Sequence, residues 1–405
     1  MKVLICGAGI AGPTLAYWLD RYGAEAVIVE RAPALRTGGY IIDFWGAGFD
    51  VADRMRLVPE ILRRGYRVRE VRVVDRDGRR TSGFPADVFL SAAGGRFTSL
   101  PRGALASAIF EALAGRVETV FGETVERVEP DDDGVRVTFA RRAPDRFDLV
   151  VGADGLHSHV RALVFGPEPP FERYLGYRVA AFEVAGYRPR DELVYMMYSE
   201  VGQQVARFTM RDDRTMFLFI FADPDPHGPA DLAGQKACLR ARFARSGWEC
   251  PRILDALDGV SDLYFDRVSQ IRMPADVGWT RGRVALLGDA ASCISLLGGQ
   301  GSSLAMVGAY LLAGELARAH WRHAEAFAQY EARFRPFIAG KQRAARRFAG
   351  AFAPASRAGL FLRNRLFDLF SLPGIARLST GRGFTDRIAL PDYAPGAPAP
   401  SGAAR

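Results

Sequence analysis

The chain has 405 residues, of which 49% are hydrophobic and 25% are charged, and its formal net charge is +8. These proportions are typical of a folded globular protein and exclude a disordered chain. The length predicts two domains, or one domain with a large insertion. Nearly all the positive charge is arginine spread along the chain, whereas a nucleic-acid-binding protein would cluster it, so we expect no nucleic-acid partner.

The cysteine and histidine residues do not form a recognisable site. None of the four cysteines lies at zinc-finger or redox-motif spacing from another, and the five histidines form no ligand cluster with them. This pattern predicts a reduced, cytoplasmic setting without a metal site. No segment is long and apolar enough to span a bilayer, which argues against membrane association. We expect a monomer or a homodimer.

The first predicted element is a short buried strand, KVLIC, which runs into Gly7, Gly9 and Gly12 with the spacing G-x-G-x-x-G. Gly7 allows a sharp turn, Gly9 lets the backbone approach a pyrophosphate, and Gly12 lets the following helix pack on the strand. The next strand ends at Glu30, where a carboxylate can bond ribose hydroxyls. Because Glu30 would repel a 2′-phosphate, the unit predicts a site for NAD or FAD rather than NADP.

Two later strands each run into a turn that contains glycine and aspartate. LVVGADGLHSHVR at 149–161 places Asp154 in such a turn, and RVALLGDA, which begins at residue 283, places Asp289 in another. Either turn alone is common. The second continues as GDAASCISLLGGQGSS, residues 288–303, whose small side chains suit a backbone that must touch a bound cofactor. Ser302 and Ser303 predict a helix N-cap before the apolar run that follows.

The region between these turns has a different pattern. GYRVAAFEVAG, ELVYMMYSE, GQQVARFTM and RTMFLFIFADP read as consecutive strands separated by polar turns, which predicts an antiparallel sheet. We assign 71–97 and 171–270 to a substrate-binding sheet domain, and 1–70, 98–170 and 271–350 to a discontinuous cofactor domain. Arg207, in the middle of one strand, is either a ligand for a substrate phenolate or carboxylate, or an exposed strand arginine.

The C-terminal part is expected to be helical. Helices are predicted from about 302 to 350, and a C-terminal helical segment is assigned to 351–391. Within this segment, SRAGLFLRNRLFDLF is amphipathic, and we expect it to pack on the cofactor domain rather than on a membrane surface. Its apolar stripe consists of Leu362, Leu366, Leu369 and Phe370. The Pro/Ala/Gly-rich residues 392–405 are expected to be a disordered tail.

The glycine-rich motifs, in their order and spacing, resemble those of a known family. GAGIAG with Glu30 and Arg31, LPRGALASAIFEAL at 100–113, GADGLHSHVR and GDAASCISLLGGQGSS are similar to the FAD-dependent (class A, p-hydroxybenzoate hydroxylase-like) flavoprotein aromatic monooxygenases. The resemblance covers residues 3 to about 315. It implies an α/β fold with a Rossmann-like FAD-binding domain, an inserted antiparallel β-sheet substrate domain and C-terminal helices.

The resemblance also implies roles for individual residues. It places Gly7, Gly9, Ala11 and Gly12 at the FAD pyrophosphate, and Glu30 with Arg31 at the adenosine ribose. It places Arg102 at the flavin or its linker, Asp154 beside the pyrophosphate in a motif linked to nicotinamide binding, and Asp289 at a ribityl hydroxyl. The backbone of Gly298, Gly299, Gln300, Gly301 and Ser302 is implied to lie along the flavin ring. GGYIIDFWG at 38–46 offers Tyr40, Asp43 and Trp45 as substrate-pocket candidates, or forms a structural turn.

The implied activity is monooxygenation with FAD as cofactor, NADPH or NADH as transient reductant and O2 as co-substrate. A flavin C4a-hydroperoxide would oxygenate an aromatic, phenolic or polyketide-like small molecule, or a ketone. Two alternatives stay open: an FAD-dependent reductase acting on an isoprenoid-type alkene, and a non-catalytic FAD-binding protein. Relatives often carry proline where this chain has Ser295 or Leu296; without it, we expect the loop to be more mobile or differently aimed.

Overall fold

A computed structural model describes residues 1–36, 38–370 and 388–393. The strands are β1 Lys2–Cys6, β2 Glu25–Glu30, β3 Ile41–Trp45, β4 Glu70–Val74, β5 Arg80–Pro85, β6 Phe97–Pro101, β7 Glu118–Phe121, β8 Val125–Pro130, β9 Val135–Phe139, β10 Asp145–Phe147, β11 Leu149–Gly152, β12 Glu172–Ala185, β13 Val194–Glu200, β14 Gln203–Thr209, β15 Arg214–Ala222, β16 Tyr264–Ile271, β17 Thr280–Arg281 and β18 Val284–Leu286. The helices are α1 Ala11–Arg21, α2 Ala47–Arg54, α3 Val58–Arg64, α4 Asp87–Ala92, α5 Arg102–Glu111, α6 His159–Val164, α7 Leu232–Phe243, α8 Cys250–Ala256, α9 Asp289–Ser292, α10 Gly301–Arg318, α11 His323–Phe352 and α12 Arg357–Phe370.

The first sheet has six strands in the order β17-β18-β11-β1-β2-β7. β1 pairs in parallel with β2 and with β11, and β11 pairs in parallel with β18. Their apolar runs are buried almost completely, as expected for parallel strands that are covered by helices on their faces. Because β1, β11 and β18 are parallel neighbours, their carboxyl ends bring the three glycine-containing motifs to one edge of the sheet.

The second sheet has seven strands in the order β16-β12-β15-β14-β13-β4-β5, with β4 and β13 as its parallel pair. One face, which includes Phe217, packs on α7 and α8. On the other face, Phe208 packs with Ile41 of β3, and Ile220 packs with Leu297 of the loop that precedes α10. This second face is therefore turned toward the first sheet, and the architecture confirms the expected α/β fold with an inserted sheet and C-terminal helices.

Helix α12 does not pack as expected. The leucines of its predicted apolar stripe are exposed: Leu362, Leu366 and Leu369. The helix lies on the second sheet instead of the cofactor domain, with the rings of Phe367 and Phe370 at 5.2 Å and 5.8 Å from that of Phe84 in β5. On the same buried face, Arg363 donates to the Ser199 hydroxyl at 3.0 Å. The partners on the sheet, which are aromatic and polar, thus decide which side of the helix is buried.

The last described residues, 388–393, run along α10. The Tyr310 hydroxyl donates to the carbonyl oxygen of Pro391 at 2.6 Å, and the Tyr393 hydroxyl donates to Glu315 Oε1 at 2.6 Å. The segment expected to be a disordered tail from residue 392 therefore starts with an anchored, buried tyrosine. Residues 371–387, which are part of the predicted C-terminal segment, and residues 394–405, which are most of the predicted tail, lie outside the described residues.

Residues 1–36, 38–370 and 388–393 contain neither a helix that could cross a membrane nor a cluster of metal-binding side chains. No helix in these ranges combines the length and the apolar character that crossing a bilayer requires. The same ranges contain no cluster of three or more histidine, cysteine, aspartate or glutamate side chains that could hold a metal ion.

Candidate functional site

The turn after β1 requires glycine at two positions. Gly7 has φ +112°, and a Cβ there would lie 2.5 Å from the carbonyl oxygen of Ala153; a Cβ at Gly12 would lie 1.9 Å from the carbonyl oxygen of Gly7. Gly9 differs, because the nearest atom to an added Cβ is Arg102 Nη2 at 3.6 Å. Gly7 and Gly12 therefore serve the fold of the turn, whereas Gly9 borders open space in which a ligand could approach the backbone.

Glu30, at the end of β2, holds this turn in place. Its Oε2 accepts a hydrogen bond from the Ala8 amide at 2.9 Å, and its Oε1 accepts one from the Ala32 amide at 2.8 Å. The neighbouring Arg31 is exposed. Ala11 begins α1 and is buried. A Cβ added at Gly288 would lie 3.1 Å from the Cβ of Ala11. The first and last motifs are thus packed against each other at the N-terminus of α1.

The turn after β11 is built around Asp154. Its carboxylate accepts from the Ser158 hydroxyl at 2.5 Å and from the amides of His159 and Val160 at 2.7 Å and 3.0 Å, which caps the first turn of α6. Asp154 is therefore a capping residue whose turn touches Gly7 through Ala153. Sequence reasoning predicted the turn but not this capping role, although Ser158 at the N-cap position was a readable signal.

Arg161 joins the second motif to the third. Its side chain is fully buried, and Nη1 donates to the carbonyl oxygen of Ala290 at 2.9 Å while Nη2 donates to that of Leu156 at 2.7 Å. Glu168 accepts a further bond from Nη2 at 2.5 Å, which keeps the buried charge paired. The sequence offered no signal for this contact, because it joins residues 129 positions apart.

The third motif forms a short helix, a 3₁₀ turn and the start of a long helix. Gly288 and Gly299 have φ +63° and +64°, which only glycine adopts readily. Helix α10 begins at Gly301 with Gln300 at the N-cap position and no side-chain capping bond. The predicted capping role of Ser302 and Ser303 is therefore wrong: Ser303 lies inside the helix, and its hydroxyl donates to the carbonyl oxygen of Trp45 at 2.9 Å.

Polar and aromatic side chains from three elements converge on a cleft beside this motif. The rings of Tyr40 and Tyr264 lie 5.3 Å apart. Burial raises the pKa of Tyr40 to about 12, although Arg102 acts in the opposite direction. Burial also raises the pKa of Asp289, again opposed by Arg102. These side chains are deep in the protein yet keep accessible surface, because they line the cleft. The Arg102 guanidinium makes no hydrogen bond or ion pair within the described part of the chain.

Strand β3 presents Asp43 to the second sheet. Ile41, Asp43 and Trp45 alternate onto one face, where Ile41 packs with Phe208. Asp43 accepts a hydrogen bond from Ser99 Oγ at 2.6 Å, and burial raises its pKa. At the end of the strand, the Trp45 ring lies 5.6 Å from Lys341 Nζ of α11. The side chain of Asp43 lies between surrounding elements but is still exposed to solvent, so it borders the space between β3 and the second sheet.

Arg207 does not reach that space. It lies on the face of the second sheet that packs against α7 and α8, where its side chain is 1% exposed. Nη2 pairs with Asp191 at 2.5 Å, Nε lies 3.5 Å from Glu249 Oε2, and Nη1 donates to the carbonyl oxygen of Pro189. Arg207 is therefore neither a pocket cation nor an exposed strand arginine, because the strand's alternation turns it away from β3.

Arg363, which sequence reasoning missed, is buried on the cleft-facing side of the same sheet. Unlike Arg161, Arg178 and Arg207, which are also buried and pair with carboxylates, Arg363 bonds to the neutral groups of Ser199, Gln204 and Asn364. Burial lowers its pKa to about 10. The position falls in a helix whose pattern suggested an apolar buried face, so no sequence signal marked it.

Comparison with known proteins identifies the family of this site. A family model described as an FAD-binding domain matches residues 1–345. The chain belongs to the p-hydroxybenzoate hydroxylase-like family of FAD-dependent monooxygenases. A flavin-dependent monooxygenase of Legionella longbeachae is 32% identical over 353 residues, which are 85% of this chain and 87% of the relative. An uncharacterised protein of Mycobacterium tuberculosis is 39% identical over 345 residues, 84% of this chain and 91% of the relative.

Solved structures place the monooxygenase in the same family. The tetracycline destructase Tet(51) superposes with a TM-score of 0.82 and 30% identity, over 97% of this chain and 99% of the other. Klebsiella pneumoniae HpxO, in complex with FAD and uric acid, gives 0.76 and 25%, over 94% and 97%. These findings confirm the resemblance seen in the sequence, and the protein is an oxidoreductase of the flavin-dependent monooxygenase class.

The residues present in this monooxygenase fit a bound dinucleotide. Three motifs meet at the carboxyl ends of adjacent parallel strands, which is where open α/β sheets bind such ligands. Open space borders Gly9, Arg102 has an unused guanidinium there, and Asp289 lies across from it on the third motif. A cation for phosphate, small backbone positions and a carboxylate for hydroxyl groups are the chemistry that FAD needs.

Proposed function

We propose that the protein uses FAD, NADPH or NADH, and O2 to oxygenate an aromatic, phenolic or polyketide-like small molecule. The observation that carries this proposal is the cleft itself: the cofactor edge of the first sheet faces the second sheet, with Tyr40, Asp43 and Tyr264 between them. When bound, FAD supplies the chemistry, because it accepts electrons from the nicotinamide and activates dioxygen. The protein binds FAD and the substrate, orients them toward each other, and excludes water from the site.

The cofactor contacts follow from the placement of the three motifs. The turn at Gly7 and Gly9 would approach the pyrophosphate at the N-terminus of α1, whose dipole favours an anion. Arg102 would supply a positive charge beside it. We propose the remaining contacts on the same basis, with these residues: Ala11, Gly12, Glu30, Arg31, Asp154, Asp289, Gly298, Gly299, Gln300, Gly301 and Ser302.

Helix α10 would stabilise negative charge on the reduced cofactor. It starts at Gly301, directly after Gln300, and its first turn has no acidic residue and no capping side chain. The unpaired amides of a helix N-terminus carry partial positive charge. This end of α10 lies beside Asp289, whose Oδ1 is 3.8 Å from the position of a Cβ added at Gly301.

The substrate would occupy the cleft between β3 and the second sheet. Asp43 has no cationic partner among the described residues, so it offers a carboxylate to a hydroxyl or amine of the substrate. Tyr40 and Trp45 would line the aromatic part of the same space. The monooxygenase relatives include HpxO, whose crystal structure holds uric acid, so a ring of comparable chemistry is a reasonable first probe.

Rapid-reaction kinetics test this function. Under anaerobic conditions, NADPH or NADH should bleach the flavin absorbance, and a substrate from a screen of phenols, polyketides and purines should accelerate the reaction. With oxygen, substrate-dependent oxygen uptake should match the nicotinamide consumed, with little peroxide released. Flavin that neither nicotinamide can reduce would indicate a non-catalytic FAD-binding protein, and reduction of an isoprenoid alkene without oxygen uptake would indicate a reductase.

A further inference from the structure

Two glutamine side chains hold the start of the 293–300 loop, which connects α9 to α10. The side-chain amide of Gln342, on α11, donates to the carbonyl oxygen of Cys293 at 3.1 Å. That of Gln270, on β16, donates to the carbonyl oxygen of Ile294 at 3.0 Å. The Cys293 carbonyl also accepts from the main-chain amide of Ile271 at 3.1 Å, so β16 and the two glutamine side chains together hold this end of the loop.

The two glutamines are also tied to each other and to the fold. Gln270 Nε2 donates to the main-chain carbonyl of Gln342 at 2.9 Å, and Gln342 Nε2 donates to the carbonyl of Ile271 at 2.7 Å. Arg272 donates to Gln270 Oε1 through Nε and Nη2 at 3.0 Å and 2.7 Å. Because that oxygen accepts from a guanidinium, the amide nitrogen must face the loop. Both side chains are buried, at 0% and 7% exposure.

The residue next to these contacts is strained. Ser295 has φ +89°, a left-handed value that a residue with a side chain rarely adopts. It is buried, and its hydroxyl has no hydrogen-bond partner among the described residues. Such a conformation persists only when contacts with the surrounding residues hold it in place. The carbonyls of Cys293 and Ile294, which immediately precede Ser295, are the points at which the glutamines act.

We propose that Gln270 and Gln342 are positioning residues that fix the 293–300 loop against the flavin, in the absence of the prolines that would stiffen it. The proposal rests on the proposed function, in which the backbone from Gly298 onward lies along the flavin ring. The two amides, anchored in β16 and α11, set the direction in which the loop leaves Ile294. Loss of either amide should therefore loosen the loop and weaken FAD binding without unfolding the protein.

Two substitutions at Gln342 distinguish the effect of its hydrogen bonds from the effect of its side-chain volume. Gln342→Met keeps a similar volume but removes the donor, and Gln342→Glu keeps the shape but can donate only when protonated. Gln329→Met, on an exposed position of the same helix, is the matched control. Full-length variants are compared by hydrogen exchange of the peptide covering 293–300, by FAD titration of the apoprotein, and by circular dichroism. Exchange is expressed as protection factors, so that the intrinsic pH dependence cancels.

Gln342→Met should lower loop protection and raise the Kd for FAD by roughly tenfold each, as expected for the loss of one buried side-chain hydrogen bond to a carbonyl that keeps the Ile271 amide as its second donor. Gln342→Glu should resemble Gln342→Met at pH 8 and recover toward wild type as the pH falls to 5, where the protonated acid donates. The charged groups nearby are Arg272, which contacts Gln270, and Arg173, Arg343 and Arg346, whose charges act on Arg272. If Gln342→Met fails to fold, the recovery of loop protection and FAD affinity in Gln342→Glu at low pH tests the proposal by itself.

Loop protection and FAD affinity within twofold of wild type in Gln342→Met would overturn the proposal, as would the absence of any pH-dependent difference between Gln342→Glu and wild type. Failure of the proposed function looks different. Wild-type protein that binds FAD but oxidises neither nicotinamide would refute the monooxygenase assignment, while the hydrogen-exchange comparison would still report on the two glutamines.

Discussion

Replacing Tyr393 with phenylalanine removes one hydroxyl from a buried contact between residues 388–393 and α10. The hydroxyl donates to Glu315 Oε1 at 2.6 Å, and Glu315 is 2% exposed. A hydrogen bond to a charged group contributes about 1.5–3 kcal/mol. Because Glu315 keeps its ion pairs with Arg333 at 2.8 Å and Arg318 at 3.4 Å, we expect a loss of unfolding free energy near the lower end, about 2 kcal/mol.

Urea unfolding followed by tryptophan fluorescence measures this loss. The Trp18 ring lies 4.8 Å from that of Tyr310, which in turn lies 5.2 Å from that of Tyr393, so the probe is next to the perturbed site. The midpoint should fall while the slope m stays unchanged. Tyr22→Phe is the control, since the Tyr22 hydroxyl bonds to no residue in the described ranges and its removal should leave the midpoint in place.

A second substitution checks that the tyrosine ring is seated as described. A Cβ at Gly314 would lie 2.1 Å from Tyr393 Cδ2, so Gly314→Ala must displace the ring and break the same hydrogen bond. Gly314→Ala should therefore destabilise the wild type strongly but a Tyr393→Ala background only weakly, because the two changes remove one shared contact. Equal destabilisation in both backgrounds, or a Tyr393→Phe variant as stable as wild type, would refute the reasoning.

Three further predictions concern the site and its supports. Glu30→Gln should weaken FAD binding roughly tenfold in a fluorescence titration, since one amide oxygen cannot accept from both Ala8 and Ala32; exposed Glu25→Gln is the control. Arg207→Gln should lower the unfolding free energy by about 3 kcal/mol, measured by urea denaturation, because it removes the buried cation that faces the partly buried carboxylates of Asp191 and Glu249, while substrate KM stays unchanged. His157, whose pKa is raised from 6.5 to about 9 by hydrogen bonds to Asp266 and Glu168, should stabilise the fold fully below pH 6.5 and lose this effect as pH rises through 9. His157→Asn should therefore cost up to about 1 kcal/mol at pH 6, given its partial exposure, and nothing at pH 10; a pH-independent difference would contradict this assignment.

The sequence predicted the cofactor edge well because the signals there are local. The turn after β1 needs glycine at Gly12 because a Cβ there would meet the carbonyl oxygen of Gly7, five residues away, and it needs glycine at Gly7 because the backbone has a positive φ there. The later turns follow short apolar strands that can be recognised without knowing the sheet order. The parallel order that brings the three turns together follows from general rules for strand–helix–strand units. The fold class and the family could therefore be predicted before any contact was known.

Side-chain direction was the part that the sequence could not fix. Arg207 and Phe208 are adjacent in β14 and point to opposite faces, so a one-residue uncertainty in register exchanges a buried structural arginine for a pocket residue. The predicted packing of helix α12 was wrong for a related reason. Leu362, Leu366 and Leu369 form an apolar stripe in the sequence, but the Phe84 ring and the hydroxyl of Ser199 on the sheet contact Phe367 and Arg363 on the opposite side of the helix.

The cofactor edge depends on contacts from outside its own motifs. Arg161, in the second motif, donates a hydrogen bond to the carbonyl of Ala290 in the third, and Gln342, on α11, donates one to the carbonyl of Cys293. Glu30 holds the first turn through Ala8. Each of these bonds fixes a main-chain group of a motif, so we expect the fold itself to orient the backbone before FAD binds. We therefore propose that the motifs form the FAD site, and we expect the contacts between distant segments to set the rigidity of their backbone.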